Sequence, residues 1–474
     1  MNWRAVVPMG VAIALALLPV PAGLTRNAWL YFSLFAGVVT GLVLEPIPAA
    51  GVGFVGMALM AASRLAAPDT EASLKLALSG FANGTVWLVF AAFTFALGYQ
   101  KTGLGKRIAL LLVRRLGGRT LGLGYAVMLA DVVLAPFTPS NTARSAGTVF
   151  PVIRNIPPLY DSHPGPTARR IGAYIIWTEF AATAVTSSMF LTGLAPNLLA
   201  VSLVEKTIGH DISMGTWVIG FLPIGLLFIA VLPWLVYKIY PPTVTGGHEV
   251  PEWAGAELAR MGRVSRGEWT MGGLALVAIS LWVLGGELME AATAALLVIS
   301  LMLAFRIVTW QEIVGHKDAW NVLVLLATLV GLADGLNKVG FVGWLARGSA
   351  ALLGGLPPTL VMAALVAVFF VTHYMFASIT AHVTAMLPMF LAAGVAVPGM
   401  PVNAFALLLC YSLGVMGILT PYATGPAPVF YASGFVSRKE FWTLGLIFGA
   451  IFLAALLGIG IPYLMLLHPM QPVS

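Results

Sequence analysis

Charge is what this sequence has least of. Only 9% of its 474 residues are Asp, Glu, Lys or Arg, while 59% are hydrophobic, and the mean hydropathy is +0.94. Such a chain cannot cover a water-facing surface, which excludes a soluble globular protein. Cysteine is nearly absent. Cys410 stands alone, so there is no internal disulfide and no Cys–His metal cluster. The seven histidines follow no ligand spacing, and Ser140 has no sequence-local base. A membrane-embedded hydrolase therefore lacks its machinery, and we expect neither an enzyme nor a cofactor. The net charge of +7 would suit nucleic acid in a soluble protein, but in an apolar chain basic residues collect in cytoplasmic loops. Nucleic acid is not an expected partner; the lipid bilayer is.

Long apolar runs are what the chain has. A spanning helix needs roughly 20 mainly apolar residues, and about eleven stretches qualify. The expected fold is an all-α polytopic membrane protein of about eleven transmembrane helices. Residues 1–26 read as an N-terminal transmembrane helix. Arg4 and a Pro-Val-Pro-Ala-Gly patch imitate a signal peptide, but the many further spans favour an ordinary first helix. Residues 104–119 carry Lys106, Arg107, Arg114, Arg115 and Arg119 around a short apolar core, the pattern of a helix lying on the membrane surface.

Two apolar stretches are interrupted by hydroxyl residues. The segment 120–153 breaks at Pro136, Pro139 and Ser140-Asn141-Thr142, and 357–394 breaks at Ser378-Ile379-Thr380. Hydrocarbon offers no water to polar groups, so such breaks persist only where protein or a water-filled cavity covers them. Both segments read as re-entrant hairpins. Two further helices, 171–204 and 402–434, unwind at Gly193, Pro196 and Asn197 and at Gly425 and Pro428, because Gly and Pro end helices.

These features recur in order. Lys101-Thr102-Gly103 matches Lys338-Val339-Gly340 at an offset of 237, the hairpin tips match at 238 and the Gly-x-x-Pro breaks at 232. The expected organisation is one inverted repeat over 27–240, a cytoplasmic linker over 241–268 and a second inverted repeat over 269–474. With the N-terminus inside, eighteen of 25 Lys and Arg fall on the cytoplasmic side and six outside, with Arg144 at membrane depth. This bias agrees with the positive-inside rule and brings the first hairpin in from the cytoplasm and the second from outside.

Inverted repeats with paired broken helices build secondary transporters, with the site near the midplane. Half-helix N-termini present free N–H groups and the positive dipole end, which attract anions. Ser140, Asn141, Thr142, Ser378 and Thr380 are thus the expected substrate-binding residues, supported by backbone at Gly193, Pro196, Asn197, Gly425 and Pro428. Arg144 and His382 occupy equivalent positions past the tips. An intramembrane Arg is costly and functional by default. Glu179 also lies at membrane depth, either as a partner of Arg144 or near a helix end. Asp131 and His373 read as hairpin-packing residues.

The segments SNTARSAGTVFP, HYMFASITAHVTAMLP and TPYATGPAPVFYASG resemble the divalent anion/sodium symporter family, in particular its branch of citrate/succinate and tartrate/succinate antiporters and the 2-oxoglutarate/malate translocator. The resemblance covers essentially the whole chain. It implies a homodimer in the cell inner membrane that moves di- and tricarboxylates by an elevator mechanism. It also implies sodium ligands: Ser140, Asn141 and Gly193 for a residual first site, and Ser378, Thr380 and Gly425 for a second. Ile379 stands where the second site needs an oxygen-bearing side chain, and no hydrocarbon ligates sodium. Arg144 and His382 are then expected to provide charge compensation in place of cations, making the chain a sodium-independent obligate exchanger. The alternatives are a sodium-coupled symporter of the same substrates and, more remotely, an anion channel.

Overall fold

The computed structural model describes residues 3–284, 289–353 and 355–468, and the regular elements among them are helices. Among the described residues, six helices are at least 18 residues long and apolar enough to cross a membrane: Arg26–Leu44, Thr120–Phe137, Met214–Ile239, Lys317–Lys338, Pro358–Met375 and Arg438–Leu467. Others are shorter. Trp3–Leu17 has 15 residues, about 22 Å at 1.5 Å per residue, and stops ahead of Pro19 and Pro21. Tips and breaks shorten some of the apolar helices, as at Ile379–Val395 and Val402–Val415.

The order of elements runs twice. Arg26–Leu44, Ala49–Ser63, Thr70–Ala77 and Gly84–Thr102 are followed later by Arg266–Leu284, Ala291–Ala304, Trp310–Val314 and Lys317–Lys338. Each series ends at a glycine with positive φ, Gly103 at 77° and Gly340 at 83°. A left-handed cap of this kind suits glycine because it has no Cβ. An amphipathic helix leaves each cap, Leu104–Leu116 in one half and Phe341–Leu353 in the other.

The first hairpin descends through Thr120–Leu134, passes a short 3-10 turn at Ala135–Phe137 and returns through Thr142–Val149 and Phe150–Ile153. Its return begins as a π-helix, a wider winding often found at functional positions. The second descends through Pro358–Thr372 and returns through Ile379–Val395. The broken helices are Gly172–Met189 with Ala195–Ile208, and Val402–Val415 with Ala427–Ala432. They touch where they break: Ser188 Oγ donates to Tyr411 O at 2.7 Å and accepts from Val415 N at 3.1 Å. Gly414 permits that approach, since a Cβ there would lie 2.5 Å from the Ser188 nitrogen.

The linker expected over 241–268 contains its own helix, Glu249–Met261, packed on Leu104–Leu116. Arg107 binds these together, donating to Glu268 at 2.5 and 3.2 Å and to Gly262 O at 3.0 Å. Of the five basic residues in the surface segment, Arg107 therefore faces protein rather than lipid headgroups.

Candidate functional site

The two tips are built alike. Ser140 Oγ accepts from Ala143 N at 3.1 Å, and Ser378 Oγ accepts from Ala381 N at 3.3 Å. Arg144 N donates to Ser140 O at 2.9 Å, and His382 N to Ser378 O at 3.0 Å. Each serine thus caps the helix that follows it, which uses its lone pair and leaves its O–H free to donate. The hydroxyl expected to meet an anion is, at both tips, also the one that starts the helix.

Arg144 is fully buried and every donor of its guanidinium is engaged. Nε donates to Asp131 Oδ1 at 3.0 Å. Nη1 donates to Thr138 O at 2.9 Å and Gly193 O at 2.7 Å. Nη2 reaches the hydroxyls of Thr183, Thr186 and Ser187 at 3.2, 3.2 and 3.1 Å. One side chain therefore joins the hairpin tip, the first helix break and the helix before that break. Asp131, expected only to pack the hairpin, is the ion partner of Arg144 across the two arms of the hairpin. Because of that pair, Arg144 does not act as an uncompensated positive charge.

His382 sits differently. It is buried, pairs through Nε2 with Thr372 Oγ1 at 3.1 Å, and has ring centroids of Phe369, Phe376 and His373 at 4.5, 4.9 and 5.1 Å. Its Nδ1 has no partner among the described residues. His373 donates from Nε2 to Ala423 O at 2.8 Å, which ties the second hairpin to the second break.

The structure brings together the first tip and the second break. Asn141 Nδ2 donates to Thr424 Oγ1 at 2.8 Å, and Gly425 lies so near Thr142 that a Cβ would stand 2.1 Å from Oγ1. Thr424 was not among the expected site residues; it follows Ala423 at the break and adds a hydroxyl. At the first break, Ala195 N donates to Pro139 O at 2.8 Å and Thr192 Oγ1 to Pro136 O at 2.6 Å. Pro196 is buried in the first turn of Ala195–Ile208. Asn197 Nδ2 spans the break to Ser187 O and Phe190 O at 2.7 and 3.2 Å. Pro428, by contrast, is exposed.

The tips line separate cavities. Ser140 and Thr142 open onto about 550 Å³ also lined by Val429, Asp318 and Asn321. Ser378 opens onto about 250 Å³ shared with Arg4, Leu42–Glu45 and Ala377. Asp318 and Asn321 escaped the sequence reading because they lie outside both hairpins and breaks. Thr380 is half-buried beside Ser378, its carbonyl taken by Thr384 Oγ1 at 2.8 Å.

Comparison with known proteins places this arrangement. The family model of the sodium:sulfate symporter transmembrane region matches residues 1–470. The L-tartrate/succinate antiporter of Escherichia coli K12 is 47% identical over 472 residues, covering 97% of each chain. The citrate/succinate antiporter of the same strain is 47% identical over 475 residues, covering 98% of each. Among solved structures, the Alcanivorax borkumensis YdaH transporter shares the fold, with a TM-score of 0.59, 15% identity and 98% of each chain covered. With the family model spanning nearly every residue, this chain belongs to the divalent anion/sodium symporter family of membrane transporters.

Proposed function

We propose that the chain exchanges di- and tricarboxylates across the cell inner membrane without sodium, taking succinate, malate, fumarate, 2-oxoglutarate or citrate. Arg144 is the observation that carries this reading. Its guanidinium occupies the Gly193 carbonyl, one of the ligands that the resemblance assigns to a residual sodium site with Ser140 and Asn141. A covalently attached cation there holds tip and break together without an ion from solution. A carrier whose cation never leaves has no sodium gradient to draw on, and the gradient of one carboxylate then drives the movement of another. Two full-length relatives bear the names of antiporters of such acids, which supports the same substrate class.

Substrate carboxylates are met by the free O–H groups of Ser140, Thr142, Ser378 and Thr380, by Asn141 and by the helix N-termini behind them. His382 adds its unpartnered ring nitrogen beneath the second tip. The whole hairpin-and-break body moves as an elevator within a homodimer. Both tips lie against ends of flanking helices: Asp318 and Asn321 begin Lys317–Lys338, and Leu42–Leu44 end Arg26–Leu44. With a cytoplasmic N-terminus, as the basic loops favour, both ends are cytoplasmic and this is the inward-facing state.

Counterflow into purified proteoliposomes tests the proposal. Labelled succinate should enter vesicles loaded with 2-oxoglutarate, equally in sodium or choline, and should not enter empty ones. Sodium-driven uptake into empty vesicles would overturn it in favour of a symporter.

A further inference from the structure

Glu179 is the buried carboxyl that the site, as described, leaves without a task. It lies in the middle of Gly172–Met189 and is fully buried, and neither of its carboxyl oxygens receives a hydrogen bond from any described residue. At helical spacing, residues 179, 183, 186 and 187 share one face, and the latter three hold Arg144 through their hydroxyls. Glu179 thus belongs to the wall around the guanidinium. Yet it receives nothing from it, because Asp131, Thr138, Gly193, Thr183, Thr186 and Ser187 already take all the N–H groups.

Asp131 lies along the same wall, because Thr186, on the face that carries Glu179, donates to it, as does Arg144 Nε. Asp131 and Arg144 are the charged groups that act on Glu179. The titratable side chains nearby on its own and packed helices are engaged elsewhere: Tyr174 donates to Pro233 O at 3.1 Å and Tyr411 to Trp217 O at 2.8 Å. A second carboxylate in this dry interior, beside one already paired with the single guanidinium, would leave one negative charge uncompensated, and such a charge is strongly disfavoured there. A shared proton removes the conflict, as in other close carboxyl pairs.

We propose that Glu179 is a neutral carboxylic acid whose O–H donates to Asp131, so that Arg144, Asp131 and Glu179 form a cluster of zero net charge. Asp131 then accepts three hydrogen bonds, from Arg144 Nε, from the Thr186 hydroxyl and from Glu179. Glu179 acts as a positioning residue: it fixes the aspartate that fixes the guanidinium that ties the tip to the break. The cluster contributes geometry and oriented donors to the first site and no net charge, so the empty carrier does not drag a charge from this region across the bilayer. The inference rests on reading Arg144 as the tether of the first tip, but the protonation state can be measured whatever the substrate.

Infrared spectroscopy of the purified protein in detergent at pH 7.5 provides the test, with Glu179→Gln for comparison. The native protein should show the carbonyl stretch of a protonated carboxylic acid, and Glu179→Gln should lack it. Absence of the band from the native protein, or its survival in Glu179→Gln, overturns the proposal. Exchange gives the second readout. Glu179→Leu should lower it at least tenfold, and Glu179→Gln, an uncharged donor of the same length, should recover most of that loss. A glutamine variant as inactive as the leucine variant would mean that the carboxyl is needed as an anion, against the proposal. Should the leucine variant not fold, the infrared comparison stands alone. A retained band with sodium-driven uptake would sink the exchanger and leave the neutral cluster intact.

Discussion

Gly425 and Gly414 both refuse a side chain, for different reasons. A Cβ on Gly414 would meet backbone, 2.5 Å from Ser188 N and 2.8 Å from Ala184 O, so its substitution separates the two broken helices. A Cβ on Gly425 would meet the Thr142 hydroxyl at 2.1 Å, which can turn aside about χ1. Gly425→Ala should therefore fold, with a melting temperature within a few degrees of native, but exchange at least tenfold more slowly because Thr142 no longer presents its O–H. Equal loss of stability and exchange in both variants would remove the functional role of the hydroxyl. At this scale the sequence showed the tips and breaks, since Ser, Asn, Thr, Gly and Pro are conspicuous in apolar surroundings. The partners of those residues were hidden. Asp131 looked like packing because nothing in a spacing of thirteen residues reveals that two arms fold back to form an ion pair. Thr424 looked ordinary beside Gly425, and its bond to Asn141 crosses 283 positions of chain.

Among the elements, the helix Leu104–Leu116 was legible from its bracketing basic residues, whereas the helix Glu249–Met261 was not, because the linker is polar and its apolar side is narrow. Arg107 joins the first to the end of the second through Gly262 O and also pairs with Glu268 at the start of Arg266–Leu284; the Arg107 and Glu268 side chains are only 9% and 2% exposed. Glu268 stands just before the apolar run of its helix. Burial alone would raise its pKa, but the Arg107 guanidinium and the Ser265 N–H outweigh burial and hold it below its ordinary value of 4.5. A carboxyl depressed in the folded state stabilises fully above its unfolded pKa and loses that contribution as pH falls through the folded one. Native protein should therefore lose more melting temperature between pH 6 and pH 3.5 than Glu268→Gln does. At pH 7, Arg107→Ala strands a buried carboxylate, for which about 3 kcal/mol of destabilisation is typical. Thermal unfolding in detergent across this range checks both, and parallel pH profiles for native and Glu268→Gln would show that the pair does not carry the contact.

For the whole molecule, the charge bias of the loops assigned sides to the hairpins, but no sequence pattern tells how deep a tip sits, because depth depends on where one body stands against another. The cavities supply that information. The first tip lies with Asp318 and Asn321 and the second with Leu42–Glu45, so both sit at the ends of flanking helices rather than at their middles. If the tips travel as one body, tethering either to its neighbour must stop transport. Cys410 is fully buried, which leaves the native chain a quiet background for introduced thiols. Pairs of cysteines at Ala146 with Asn321, and at Ala377 with Leu44, join residues that share a cavity. A cleavable thiol cross-linker should join each pair, abolish counterflow in both, and release it again on reduction. The elevator reading requires both tethers to act, since each ties the same moving body from a different side. Exchange that continues while either pair is fully cross-linked would mean that the tips keep their depth during transport, and access would have to alternate by movements of the tips alone.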